Sequence, residues 1–180
     1  MSLDQLIERC KNNDAQAQSQ LYKLYASKLF SVCLKYSRNY VEAEDNLQDA
    51  YLTIFKKISQ FKSQGSLEGW MKRITINTAL QRYRSVGVFD IINEDQIEDV
   101  TVEVDDDDMS IDYLLNIIQE LPDRYRLVFN LYALDDYSHK EVAAMLNIST
   151  GTSKSNLARA RMILKEKVRQ YKASPNSQSI

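Results

Sequence analysis

The chain has 180 residues, a mass of 20.9 kDa and a formal net charge of −2, enough for one ordinary domain or two small ones. Four glycines and two prolines leave few turns, which argues against a barrel or sandwich and for long helices. One histidine (His139) and two cysteines (Cys10, Cys33) do not make an ordinary zinc site or a Cys–His nucleophile pair, so no metal, cofactor or catalytic residue is expected.

In chain order, the opening MSLDQLIERCKNND lacks the apolar stretch of a signal peptide, and no run of about 18 apolar residues follows, so a cytoplasmic protein is expected. Leu3, Leu6, Ile7 and Cys10 recur at helical spacing and predict a short amphipathic helix. A second helix carries Leu21, Leu24, Tyr25, Leu29, Val32, Cys33 and Tyr36 on one stripe; both cysteines are read as buried structural thiols. A third helix, about 41–60, buries Ala43, Leu47, Ala50, Tyr51, Ile54, Phe55 and Ile58. Its opposite row, Asp45, Gln48, Asp49 and Leu52, suits a basic helical partner, although composition alone favours an ordinary solvated face.

The polar loop FKSQGSLEGW leads into a fourth helix, about 67–83. Leu67, Trp70, Met71, Ile74 and Thr78 are expected to face inward, with Lys72, Arg73, Asn77, Gln81 and Arg84 outside. Guanidinium groups beside amides suit phosphates and base edges. The loop Phe61–Ser66, with Phe61, Lys62 and Ser63, has the mixed character of a pocket for an unstacked base. A basic helix after a loop is by itself common. Residues 1–84 carry 13 basic and 8 acidic side chains, +5 in all.

Residues 85–112 hold 11 acidic side chains and no basic ones, ending in Asp105 to Asp108. Like charges at this density resist compaction, so the segment reads as an acidic flexible linker. Residues 113–180 carry 10 basic and 6 acidic side chains. Ile111, Leu114, Leu115, Ile118 and Leu121 form an amphipathic helix stopped by Pro122. Tyr125, Val128, Phe129, Leu131 and Tyr132 form the next. Ser138 and Glu141 have capping-box spacing, so a helix with Val142, Ala143 and Leu146 starts there; His139 is expected as an exposed cap residue.

After the turn Asn147–Ser149 comes a long basic helix with Ser153, Leu157, Ala160, Leu164 and Val168 inward. This is the layout of a helix-turn-helix. Recognition helices contact bases with their first turns. Thr152, Lys154, Ser155, Asn156 and Arg159 are therefore assigned to the major groove and Arg161 to phosphate. The other reading is a basic amphipathic helix capping a helical domain. Residues 173–180 read as a disordered tail. Fold class is all-α: an N-terminal helical bundle and a C-terminal helix-turn-helix domain on an acidic tether.

The segments AEDNLQDAYLTIF (43–55), GWMKRITINTALQRYR (69–84) and ELPDRYRLVFNLYALDDYSHKEVAAMLNISTGTSKSNLARARMIL (120–164) together resemble a sigma-70-family factor of the extracytoplasmic-function type. The resemblance implies that residues 1–84 bind the clamp helices of the largest subunit of core RNA polymerase and melt the promoter −10 element. Asp45, Gln48 and Asp49 then match the polymerase-binding motif, and Asn77 and the loop Phe61–Ser66 match positions that capture a flipped base. Residues 113–172 correspond to the domain that reads the −35 element and touches the polymerase flap. Promoter DNA and polymerase are the implied partners; an anti-sigma factor is an expectation of the family alone. Three positions depart from the family pattern: Asp135-Asp136-Tyr137 replaces a glycine-containing turn, Ser153 an aliphatic, and Asn156 a basic residue.

Overall fold

The computed structural model describes residues 1–89 and 109–174. The acidic linker therefore lies largely in residues 90–108, outside the described residues, as do tail residues 175–180. The chain divides into two compact units, Met1–Ser85 and Val86–Ile180. Every element among the described residues is helical.

In the first unit, α1 (Leu3–Lys11) begins in a capping box in which Ser2 Oγ accepts from the Gln5 N–H and Gln5 returns a bond to the Ser2 N–H. Asp14 caps α2 (Ala15–Tyr36) by accepting from the Gln16 and Ala17 N–H groups. With Arg9 2.6 Å away, these bonds hold its carboxyl below the usual range. Asn39 caps α3 (Tyr40–Lys57), which tightens into a 3₁₀ turn at Ile58–Gln60. The loop 61–66 leads to α4 (Leu67–Ser85), where Ser66 Oγ accepts from the Gly69 N–H at 3.0 Å. A Cβ on Gly69 would stand 2.9 Å from that hydroxyl, so a larger residue there would make the serine side chain shift.

Helices α2, α3 and α4 pack pairwise and α1 lies on α2. Leu21, Leu29, Cys33, Ala43, Leu47, Ile54 and Met71 form one buried cluster; each completely buried Leu or Ile contributes about 1.5–3 kcal/mol. Both cysteines are buried, and burial pushes the Cys33 thiol up to about 12. Three expectations are corrected. Leu24 is 55% exposed and Leu3 also faces out. On α4 the buried face is Met71, Thr75, Ile76, Ala79, Leu80 and Tyr83, with Trp70, Ile74 and Thr78 only half-buried. The helix is covered by two others, so its buried face is wider than one stripe. The Tyr83 hydroxyl donates to the Tyr36 carbonyl at 2.8 Å, satisfying a buried phenol and closing α4 onto the end of α2.

In the second unit, Ser110 caps α5 (Ile111–Gln119) and Pro122 precedes α6 (Asp123–Phe129), which runs into one π-helical turn at Asn130–Leu134. α7 (His139–Leu146) starts in the expected capping box of Ser138 with Glu141 and ends at Asn147 in the left-handed conformation, φ 56°. Ser149 caps α8 (Thr150–Ala173). α6 and α7 both pack on α8. On α5 the buried residue is Ile117, while Ile111 and Leu115 are exposed, contrary to the predicted stripe. Packing there comes from Leu114, Ile117, Ile118 and Leu121 against Ala160 and Leu164. The helices also reach one residue or two into the segments read as linker and tail.

Candidate nucleic-acid interface

On α3 the row Asp45, Gln48, Asp49 and Leu52 is solvent-facing, and Leu52 is 70% exposed. Helical spacing puts these four on one side because i, i+3, i+4 and i+7 recur on one face. Asp45 and Gln48 bond to no other described side chain, whereas Asp49 meets Arg82 of α4 at 3.2 Å. An exposed acidic row ending in a bare leucine is complementary in charge and character to a cationic and partly apolar surface.

The loop after α3 divides. Lys62 and Ser63 are exposed, Ser63 at φ 56° and Gly65 at φ 96°, the latter a backbone state in which glycine avoids strain. Phe61 is corrected out of the exposed pocket: it is 6% exposed and packs on Trp70 with ring centroids 5.5 Å apart. Its ring is part of the core beneath the loop and presents only a small surface to the cavity there. That cavity, beside the loop, is about 340 Å³, with Leu3, Ile7 and Tyr25 on one side, Ser63, Gly65 and Ser66 on the other, and the buried Phe61 also in its lining. Asn77 stands further along α4 and does not line it.

Along α4, Arg73, Gln81 and Arg84 project with Lys72 and Asn77, the last two half-buried. Arg73, Asn77, Gln81 and Arg84 put four cationic or amide donors on one face, turned away from the Met71–Ile76–Leu80 core, whereas Lys72 stands on the side of Thr75, Ile76 and Ala79, contrary to the expectation. The sequence reading missed Arg82, whose Nε donates to Asn46 Oδ1 at 2.6 Å. Asn46 lies between Ala43, Leu47 and Ala50 on the buried stripe, and an asparagine there signals a polar partner inside.

At the start of α8, Lys154 is exposed and Thr152, Ser155, Arg159 and Arg161 are half-buried. Thr152 closes on the cap, its Oγ1 2.9 Å from Ser149 Oγ, and the Ser155 hydroxyl donates back to the Thr152 carbonyl. Arg161 lies over the Tyr132 ring at 5.9 Å. Asn156 is corrected: it is 0% exposed, and neither its side-chain nitrogen nor its oxygen has a hydrogen-bond partner. It sits next to Leu157 and Ser153 on the inward side of α8, one position off the side assigned to the groove from the sequence, and a side chain without exposed atoms reads no base edge.

His139 is likewise not a bare cap residue. It stacks on Tyr132, centroids 4.3 Å apart, and its Nδ1 is 2.9 Å from Ser153 Oγ. That contact ties the first turn of α7 to α8 and gives the buried Ser153 hydroxyl a partner, so this polar replacement is compensated. In the turn before α7, Asp136 takes φ 58°, the conformation for which glycine is suited; aspartate is among the few other residues that tolerate it.

Among the described residues no group of His, Cys, Asp and Glu could hold a metal ion, and no helix is long and apolar enough to cross a membrane. The family profile described as Sigma-70 region 2 matches residues 21–87, and that described as Sigma-70, region 4 matches 111–164. The chain is 29% identical to the ECF RNA polymerase sigma factor SigW of Bacillus subtilis (strain 168), over 94% of this chain and 98% of that one. It is 26% identical to the ECF RNA polymerase sigma-E factor of Haemophilus influenzae, over 91% of this chain and 93% of the relative. In fold it is similar to the sigma factor RpoE solved in complex with the anti-sigma factor NepR from Bartonella quintana, with a TM-score of 0.54, 22% identity, and coverage of 84% of this chain and 96% of that one. With both regions matched in order on two helical units, this chain belongs to the sigma-70 family as an extracytoplasmic-function sigma factor, a promoter-specific transcription initiation factor.

Proposed function

We propose that residues 1–84 dock on the clamp helices of the largest polymerase subunit through Asp45, Gln48, Asp49 and Leu52, and open the −10 element with the α4 face and the loop at Lys62 and Ser63. Residues 113–172 read the −35 element through Thr152, Lys154, Ser155 and Arg159, with Arg161 on phosphate, and touch the flap. The observation that carries this reading is the first unit's pair of unlike faces: an exposed acidic row on α3 and a cationic row on the adjoining α4. A single helix-turn-helix repressor needs no such acidic row, and a helical adaptor needs no cationic recognition helix.

Each unit alone binds DNA weakly. Polymerase fixes their separation, so the second contact becomes effectively intramolecular and avidity rises. Unstacking costs a few kcal/mol, which base capture offsets. The chain makes and breaks no bond; polymerase supplies the chemistry, in the cytoplasm. An anti-sigma factor is a further candidate partner, since the solved RpoE is bound to one.

Run-off transcription with purified core polymerase on a promoter library tests the reading. New start sites that depend on this chain are expected. Asn77→Ala is expected to slow open-complex formation with core binding intact; loss of both together would indicate misfolding instead. Core enzyme that neither retains the chain nor initiates at new sites would overturn the proposal.

A further inference from the structure

Arg82 lies on the side of α4 turned towards α3, outside the row of cations read from the sequence. Its Nε donates to Asn46 Oδ1 at 2.6 Å, and its Nη2 to Asp49 Oδ2 at 3.2 Å. Asn46 is fully buried and passes the chain on, its Nδ2 donating to Ser37 Oγ at 2.8 Å. One edge of the guanidinium is thus anchored in the protein interior. The other edge is held by a carboxylate whose side chain is 56% exposed, at a length above that of a tight charge-assisted bond. An ion pair this open to water adds little stability and yields readily to a competitor.

We infer that Arg82 is a promoter-phosphate ligand that Asp49 holds in reserve and that polymerase docking releases. The inference rests on the reading of Asp45–Asp49 as the docking row. A partner that binds an acidic row brings cations to it, and a cation on Asp49 competes with Arg82 for the same carboxylate. The Asn46 bond keeps the arginine stem in place, so the released fork stays on the α3-facing side of α4, one helical step of about 100° from Gln81. A planar guanidinium there matches a phosphate. Without polymerase, Asp49 both occupies the fork and repels an approaching phosphate. One contact therefore weakens DNA binding by the free chain and strengthens it in the holoenzyme, and the coupling acts equally in both directions.

The test is the salt dependence of binding to a −10 fork-junction DNA by holoenzymes carrying wild-type chain, Arg82→Ala or Arg82→Lys. The slope of log K against log salt is expected to be shallower by about 0.7–0.9 in Arg82→Ala, one phosphate contact. Arg82→Lys keeps the wild-type slope because the charge remains. Both variants are expected to bind core polymerase at least as tightly as wild type. In the free full-length chain, Asp49→Asn is expected to steepen the slope by the same amount, since Arg82 is then released without polymerase. An unchanged slope in Arg82→Ala, whatever the affinity, overturns the inference and leaves Arg82 only a strut between α3 and α4. Asp49→Asn that binds core as tightly as wild type overturns the docking reading and the release with it, and is told apart because it leaves the Arg82→Ala slope difference standing.

Discussion

Asn156→Leu is expected to stabilise the second unit. The asparagine is 0% exposed with both side-chain polar atoms unpartnered, and an unsatisfied buried group costs about 1–3 kcal/mol. Leucine has the same branching at Cγ and the same number of side-chain heavy atoms, so it fills the site while removing both orphans. The slightly larger methyl groups return about 1 kcal/mol as repacking strain. The net gain is about 2 kcal/mol, which raises the melting temperature of a domain this size by ~10 °C. Thermal unfolding of the full chain is followed by far-ultraviolet circular dichroism and, separately, by the fluorescence of Trp70, the one tryptophan, which lies in the first unit. The dichroism transition is expected to move with the fluorescence midpoint fixed, and affinity for −35 duplex to stay at the wild-type level. An unchanged or lowered transition would refute the reasoning, because it would mean that the amide is satisfied in solution by a trapped water. Loss of −35 binding in a well-folded variant would return Asn156 to the groove.

Arg159→Ala is expected to weaken binding to the −35 element by about 1–3 kcal/mol and to relax base preference at one position, read by competition between duplexes with single substitutions; uniform weakening across all sequences would move Arg159 to a phosphate. Asp136→Ala is expected to cost about 1 kcal/mol, because alanine at φ 58° has no side-chain polar group to relieve the left-handed conformation, while Asp136→Gly leaves the melting temperature unchanged or raises it. Alkaline pH is expected to destabilise the first unit. Burial raises the Cys33 thiol from 9.0 to about 12 and also raises Cys10 and Tyr51, so the folded state keeps protons that the unfolded state gives up. Their contribution is complete below about pH 9 and is lost progressively towards pH 12. Urea midpoints that hold constant between pH 8 and pH 10.5 would count against it.

The parts legible in the sequence are those governed by local rules. Ser138 and Glu141 announce a capping box because it needs only two residues at fixed spacing, and it is there. The third helix is legible for a similar reason: a periodic apolar stripe from Ala43 to Ile54 leaves one side for Asp45, Gln48, Asp49 and Leu52, all of which face solvent. What local rules do not supply is how many neighbours a helix has. α4 touches both α2 and α3, so its buried face widens to include Ile76, Leu80 and Tyr83, and a single stripe chosen from Leu67 onward misses them. On α5, by contrast, few partners cover the helix, so Ile111 and Leu115 of the predicted stripe are left in water while Leu114, Ile118 and Leu121 pack.

The same limit explains the site residues. Phe61 stands among Lys62, Ser63 and Gly65 and reads as part of a polar loop, yet Trp70, nine positions on, is turned towards it by α4 and draws it into the core. Asn156 and Ser155 differ by one step of about 100° around α8, which is enough to exchange a partly exposed position for a buried one. Arg82 and Asn46 are 36 residues apart and meet across two helices. Each half carried a local signal: a polar residue on an apolar stripe, and an arginine set one step off the cationic row. Only the packing of α3 on α4 joins them. A buried polar side chain is thus the most informative departure from a sequence pattern in this fold, because it demands a partner that periodicity cannot name. Asn46 finds one in Arg82, Ser153 finds one in His139, and Asn156 finds none; the first two bind elements together, and the third is where the domain can gain stability.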